Sequence, residues 1–291
     1  MIQQIDLFAP AQVKADVLRL DLVHPVVSGN KWFKLKYHLQ QSIKENSKGI
    51  ISFGGAYSNH LVAAAYAAQQ AGLAAIGIIR GEAPAQPSPA LQDMKECGMQ
   101  LRFVSRSAFA NEQQLIALLN EELPGYFIIP HGGQSDYGVQ GALEILQLTV
   151  LDVYTHIACA AGTGTMMAGL VQGSLPHQQV IGISSLKTED ADNNSIAAFI
   201  ESSSSKKNWK LFANYHFGGY ARHTPALLQF MNEWYGQTGI ASDFVYTAKL
   251  FFAISDLVEK KYFPPASRLL LIHSGGLQGN RSLAPGTLTF Q

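Results

Sequence analysis

Residues 49–79 read GIISFGGAYSNHLVAAAYAAQQAGLAAIGII, and this stretch decides the fold. Gly49 to Phe53 is a short apolar run ending in Gly54-Gly55, the mark of a buried strand entering a turn. Ser58, Asn59 and His60 then precede an Ala-rich segment, Leu61 to Gln70, which predicts a helix because alanine loses least on entering one. Ala74 to Ile79 predicts a second strand. From Leu61 to Ile79 the chain is apolar enough to raise a membrane span. Gln69, Gln70 and Gly72 interrupt it, so it divides into helix, turn and strand.

The alternation continues downstream. Helices are predicted at Ala90–Cys97, Asn111–Glu122 and Gly141–Val150, with another opening at Met166–Val171. Strands are predicted at Gln100–Val104, Tyr126–Ile129, His156–Ala160, Val180–Ser184, Phe244–Tyr246 and Leu269–His273. Short apolar strands alternating with helices imply an α/β fold, with open, mainly parallel sheets covered by helices on both faces. The polar run Glu201 to Lys207 predicts a surface loop.

Composition narrows the function classes. The 291 residues are 47% hydrophobic and 14% charged, enough for a large buried core. With 21 basic and 21 acidic residues the net charge is +0, so there is no electrostatic case for nucleic acid or an anionic membrane. Cys97 and Cys159 cannot build a disulfide framework, which fits a reducing compartment. The first residues lack the basic and apolar blocks of a signal peptide, and the expectation is a soluble cytoplasmic protein. The histidines are scattered without zinc-ligand spacing, so no metal is expected. No G-x-S-x-G elbow is present either.

Three segments carry chemistry. Ser28-Gly29-Asn30-Lys31 puts a lysine at the start of an amphipathic run (Trp32, Phe33, Leu35, Tyr37, Leu39), where the helix dipole disfavours a cation. A lone lysine there is ordinarily solvated; Gly29 and Asn30 beside it mark a position where backbone can approach a ligand. Ser58-Asn59-His60 can simply cap a helix, or can hold a carboxylate at the same helix start, and the double glycine upstream favours the second reading. Ala161-Gly162-Thr163-Gly164-Thr165 lies between strand and helix and is rich in N–H donors, as phosphate binding requires; a tight packing turn is the alternative. Met167 stands where a dinucleotide fingerprint needs glycine, and no Gly-Lys-Ser/Thr follows, so neither nucleotide motif is met. A lysine, an asparagine at a helix start and an anion loop, in that order, point to pyridoxal 5′-phosphate (PLP), which lysine binds as a Schiff base.

Together these segments resemble the PLP-dependent family of 1-aminocyclopropane-1-carboxylate (ACC) deaminase and D-cysteine desulfhydrase, of the tryptophan-synthase-β-like fold type II. The resemblance runs from Ser28–Leu35 through Gly54–His60, Ile129–Gly133, Gly162–Thr165, Gly218-Gly219-Tyr220 and Val245–Lys249 to His273–Gly276. It implies two domains: residues 1–44 plus 142–291 as the larger, cofactor-binding one, and 45–141 as an inserted smaller one. It also implies a homodimer acting on a small amino acid. Lys31 would carry the cofactor and shuttle the Cα proton, and Asn59 would bond the ring 3′-oxygen. Gly162, Thr163, Gly164 and Thr165 would hold the phosphate. Ser58, Asn59 and His60 would meet the substrate carboxylate. Tyr246 would lie near the ring and Thr247 would face its nitrogen.

Three positions depart from the family's habit: Val62 and Ala63 stand where relatives often carry Arg and Gln, and His131 where a Glu is common. Relatives that open the ACC ring typically have Glu after the tyrosine. A carboxylate there favours a protonated ring, the stronger electron sink. Neutral Thr247 therefore tilts the expectation to β-elimination from a D-cysteine-like substrate. ACC deamination, racemisation or dehydration on the same scaffold, and PLP binding without turnover, are the alternatives.

Overall fold

A computed structural model describes residues 1–187 and 195–291 in full and, of residues 190–194, the backbone. The chain opens with an antiparallel pair, β1 (Ile2–Ile5) and β2 (Lys14–Arg19), followed by α1 (Asn30–Lys44). The deciding stretch becomes β3 (Gly49–Gly54), α2 (Asn59–Gln70) and β4 (Ala74–Arg80). Next come α3 (Pro89–Glu96), β5 (Gln100–Val104), α4 (Arg106–Ala110), α5 (Glu112–Glu122), β6 (Tyr126–Ile129) and α6 (Asp136–Leu143). The remainder is β7 (His156–Ala161), α7 (Thr165–Gly173), β8 (Gln179–Ser184), α8 (Asp190–Ser203), β9 (Trp209–Phe212), α9 (Pro225–Thr238), α10 (Thr247–Glu259) and β10 (Arg268–His273).

These strands make two sheets. One has the order β5-β4-β3-β6, every pair parallel. The other has the order β1-β2-β10-β7-β8-β9 and is parallel throughout except for β1 on β2. The expected α/β class with mainly parallel sheets holds. The four-stranded sheet is built from chain lying between β2 and β7.

Side-chain alternation along each strand feeds opposite layers. In the six-stranded sheet Ala15, Ala158, Ile181 and Leu271 pack toward α9 and α10, while Leu18, Ile157, Val180 and Leu270 pack toward α6, α7 and α8. In the four-stranded sheet Ile50 and Ile79 meet α2 and α3, and Ile51, Phe53 and Ile78 meet α4 and α5. Strands covered on both faces have no polar register to keep, hence the continuous apolar runs in the sequence.

Three expectations need correction. The helix expected at Gly141–Val150 is α6, which starts at Asp136 under a Ser135 cap and passes into a short 3-10 turn at Glu144–Leu148. Gly141 is not a break: a Cβ there would lie 1.9 Å from the Phe33 carbonyl oxygen, so the glycine lets α6 lie against α1. Phe244–Tyr246 is a turn rather than a strand, for a reason given below. Glu201–Ser203 still belong to α8, and only the rest of that polar run is loop. No helix among the described residues is long and apolar enough to cross a membrane.

Candidate active site

The C-terminal ends of the parallel strands in both sheets open on one cavity of about 480 Å³, the place where open α/β sheets receive ligands. Lys31 reaches it from the first turn of α1. The chain enters that helix through Gly29 at φ +69°, packed so closely on Ser274 that a Cβ would lie 1.9 Å from the Ser274 carbonyl oxygen. The Asn30 N–H donates to that carbonyl at 3.2 Å, which fixes the helix start against the end of β10. Lys31 is buried, and loss of solvation lowers its pKa to about 8, partly opposed by the negative charge of Asp243. Its Nζ lies 5.5 Å from the centroid of the Tyr246 ring.

Ser58 caps α2, its Oγ accepting the Leu61 N–H at 3.2 Å. Gly54 makes room for this cap, because a Cβ there would come within 2.5 Å of the Ser58 Oγ. Asn59 and His60 follow it into the cavity wall, and each leaves a buried polar atom unpartnered, Oδ1 and Nδ1 respectively. The His60 tautomer follows from its neighbours. The Ser52 hydroxyl donates to the Ile129 carbonyl at 3.0 Å, so it must accept from His60 Nε2, also at 3.0 Å. That leaves Nδ1 as a bare lone pair among the cavity-lining groups.

Gly162 to Thr165 join β7 to α7. Gly164, at φ +84°, turns the chain so that the first N–H groups of α7 are left without helical acceptors. The Thr163 and Thr165 hydroxyls lie 3.0 Å apart, and Gln134 Nε2 donates to the Thr163 carbonyl at 2.9 Å. Gly162 faces Tyr246: a Cβ at that position would sit 3.2 Å from the ring. Burial raises the Tyr246 pKa well above the ordinary phenol value, so the group stays protonated.

Lys34 was not singled out by sequence, although three residues after Lys31 on a helix is the same face. It lines the cavity, and its ammonium has no hydrogen bond or ion pair among the described residues. Burial, and then the charge on Lys31, bring its pKa down to about 7. His38, His60 and His131 surround it, and desolvation first and the Lys34 charge also hold all three below the ordinary imidazole range. His38 is locked, with Nδ1 donating to the Lys34 carbonyl and Nε2 accepting from Ser135 Oγ, both at 2.8 Å.

His38 should therefore make the fold acid-sensitive. Its pKa is about 4 folded against an ordinary 6.5, so its contribution is complete above pH 6.5 and is lost as pH falls toward 4, by an amount on the order of 3 kcal/mol. Urea unfolding at pH 7 and pH 5 should show this loss in the wild type and a smaller one in His38→Gln. Equal losses in both proteins would place the acid sensitivity elsewhere.

Asp243 is the second residue that sequence reading passed over. Its carboxylate is fully buried and accepts the N–H groups of Val245 (2.9 Å), Tyr246 (2.8 Å) and Thr247 (3.0 Å), and the Thr247 hydroxyl (2.7 Å). These bonds impose the turn at Phe244–Tyr246 and start α10. They also turn Thr247 inward: its Oγ1 accepts from the Asp243 N–H at 2.7 Å while donating to the carboxylate, and Thr247 is not among the cavity-lining residues. The signal was an Asp just before a helix, the usual capping chemistry. Val62 and Ala63 also lie away from the cavity, packed in the core of α2. Lys249, a third buried lysine, is spoken for, its Nζ donating to the Gly219 carbonyl at 2.8 Å.

Comparison with known proteins gives the family. The family model described as pyridoxal-phosphate dependent enzyme matches residues 8–275. A putative ACC deaminase of Pyrococcus horikoshii is 28% identical, over 92% of this chain and 86% of that protein. The mitochondrial bifunctional D-cysteine desulfhydrase/ACC deaminase of Arabidopsis thaliana is 25% identical, over 90% of this chain and 72% of its own. Among solved structures, an ACC deaminase homologue superposes with a TM-score of 0.84 at 25% identity, covering 96% of this chain and 90% of that one.

Proposed function

Because the chain belongs to the pyridoxal-phosphate dependent enzyme family, we propose that it is a lyase or deaminase of small amino acids, with β-elimination from a D-cysteine-like substrate as its reaction. The observation that carries this is Lys31, a buried amine of lowered pKa facing Tyr246 in a cavity that also holds a helix-capping serine and an anion loop. The residues suit the cofactor. Lys34 supplies an unpaired buried cation to face a phosphate, and the Asn59 side-chain amide makes no hydrogen bond, so its Nδ2 is free to donate to a ring oxygen.

In this reading Lys31 holds PLP covalently, Gly162 to Thr165 hold its phosphate with Lys34 as counter-charge, and Asn59 holds its ring oxygen. When bound, PLP withdraws electrons from the substrate Cα and so acidifies its proton. Ser58 and the start of α2 bind the substrate carboxylate, with His60 beside them. Lys31 Nζ takes the Cα proton, and Tyr246, kept protonated by burial, lends a proton to the departing sulfur. The net change is D-cysteine plus water to pyruvate, ammonia and hydrogen sulfide. With its hydroxyl bound at both ends by Asp243, Thr247 brings no charge to the ring, which suits a substrate whose own leaving group departs from Cβ. The same reading keeps residues 45–141 as the inserted smaller domain and takes the protein as a cytoplasmic homodimer.

Keto-acid release from D-cysteine, L-cysteine and ACC by the PLP-loaded protein tests it. Release from D-cysteine alone is expected. Release from ACC without D-cysteine would replace elimination by deamination, and silence from all three would overturn the substrate class.

A further inference from the structure

Arg80 ends β4 and faces the cavity mouth from the four-stranded sheet. It is exposed and forms no hydrogen bond or ion pair among the described residues, so its five N–H donors face solvent and are open to a ligand. The carboxylate that shares its wall is already engaged, since Glu112 Oε1 accepts the His131 N–H at 2.8 Å. His131 and Tyr220 line the same cavity as Arg80. Tyr220 packs on Tyr246 with ring centroids 6.1 Å apart, and Tyr246 faces Lys31. Lys31, Tyr246, Tyr220 and Arg80 thus all line one cavity.

The other cations of the cavity have partners in the reading above: Lys31 the cofactor, Lys34 its phosphate. The substrate's own carboxylate goes to Ser58. Arg80 is left over, in the cavity wall at the end of β4. Resting on that reading, we propose that Arg80 is a subsite for a carboxylate on the leaving group, so that the enzyme acts on β-substituted alanines whose departing thiol is itself an anion. His131 completes the wall, half-buried and held edge-on against Phe109 at 5.5 Å. The reaction is unchanged in kind: the Cα–H and Cβ–S bonds break, the sulfur leaves with a proton as a thiol carrying the carboxylate, and water completes the conversion to pyruvate and ammonia.

The probes are S-carboxymethyl-D-cysteine and S-carbamoylmethyl-D-cysteine, which differ in charge and hardly in shape. The wild-type holoenzyme should release thiol and pyruvate from the acid with kcat/KM roughly tenfold or more above the amide, as a charge-assisted bidentate contact provides. Arg80→Gln should bring that ratio to about one, and Arg80→Lys should keep part of it. Calorimetric Kd values for the same pair on PLP-incubated Lys31→Ala protein give a readout without turnover, and the acid should again bind more tightly only when Arg80 is present. If no thiol is released from either compound but the Kd preference persists, the elimination reading fails and the subsite stands. Equal handling of acid and amide in both assays, or a preference that survives Arg80→Gln, overturns the proposal.

Discussion

Lys31→Ala should remove the borohydride-fixable attachment of PLP and lower keto-acid release from D-cysteine by roughly 10³-fold or more, as loss of a covalent catalytic group does. The expectation is specific because three lysines are buried in this fold. Lys249 is tied to a backbone carbonyl and lies off the cavity. Lys34 lies in the cavity too, but on the side of the Pro130–Gly133 turn, where a Cβ on Gly133 would sit 3.7 Å from the Lys34 Cβ. Peptide mapping after reduction should place the adduct on Lys31 in the wild type, and Lys34→Ala should keep the adduct while binding PLP more weakly. An adduct surviving in Lys31→Ala would move the anchor to Lys34 and sink the assignment.

The second large effect is expected at Asp243. Asp243→Ala strands three backbone N–H groups and a hydroxyl in a fully buried place, a loss of about 3–5 kcal/mol in unfolding free energy. Asp243→Asn keeps the shape and removes the charge, which separates packing from electrostatics. Asp243 holds the Lys31 pKa up against desolvation, so without its charge that pKa should fall below about 8. The pH dependence of PLP attachment to apo-protein reads this directly, its midpoint moving to lower pH in Asp243→Asn. An unmoved midpoint would make Asp243 purely a structural cap.

The parallel-sheet fold was legible because strands covered on both faces cannot hide polar residues, so Gly49–Phe53 and Leu269–His273 announce themselves. β1, β2 and β9 did not: Asp16 and Lys210 interrupt the second and third, and β1 is a sheet edge. Of the site, Lys31, Ser58, Asn59 and the 162–165 loop were legible because glycine beside a polar residue has few other uses. Asp243 and Arg80 were not, since one hides in an ordinary helix cap and the other looks like any charged strand end. Only the approach of distant segments brings the charge of the first to bear on Lys31 and sets the second in the cavity wall. Thr247 was placed by its neighbour in sequence, whereas its hydroxyl answers to Asp243.

The seating of Gly29 on Ser274 also sets a clock. β2 hydrogen-bonds along its length to β10, Lys14 opposite Arg268 and Arg19 opposite His273, so residues made early are completed by residues made late. While the chain is still emerging from the ribosome, the four-stranded sheet has all its strands and can form, but the lysine has no wall to rest on. With Lys31 as the proposed anchor, capture of the cofactor falls late in biosynthesis, and a chain stalled before Arg268 leaves the β10 side of β2 unpaired, a species for chaperones rather than for catalysis.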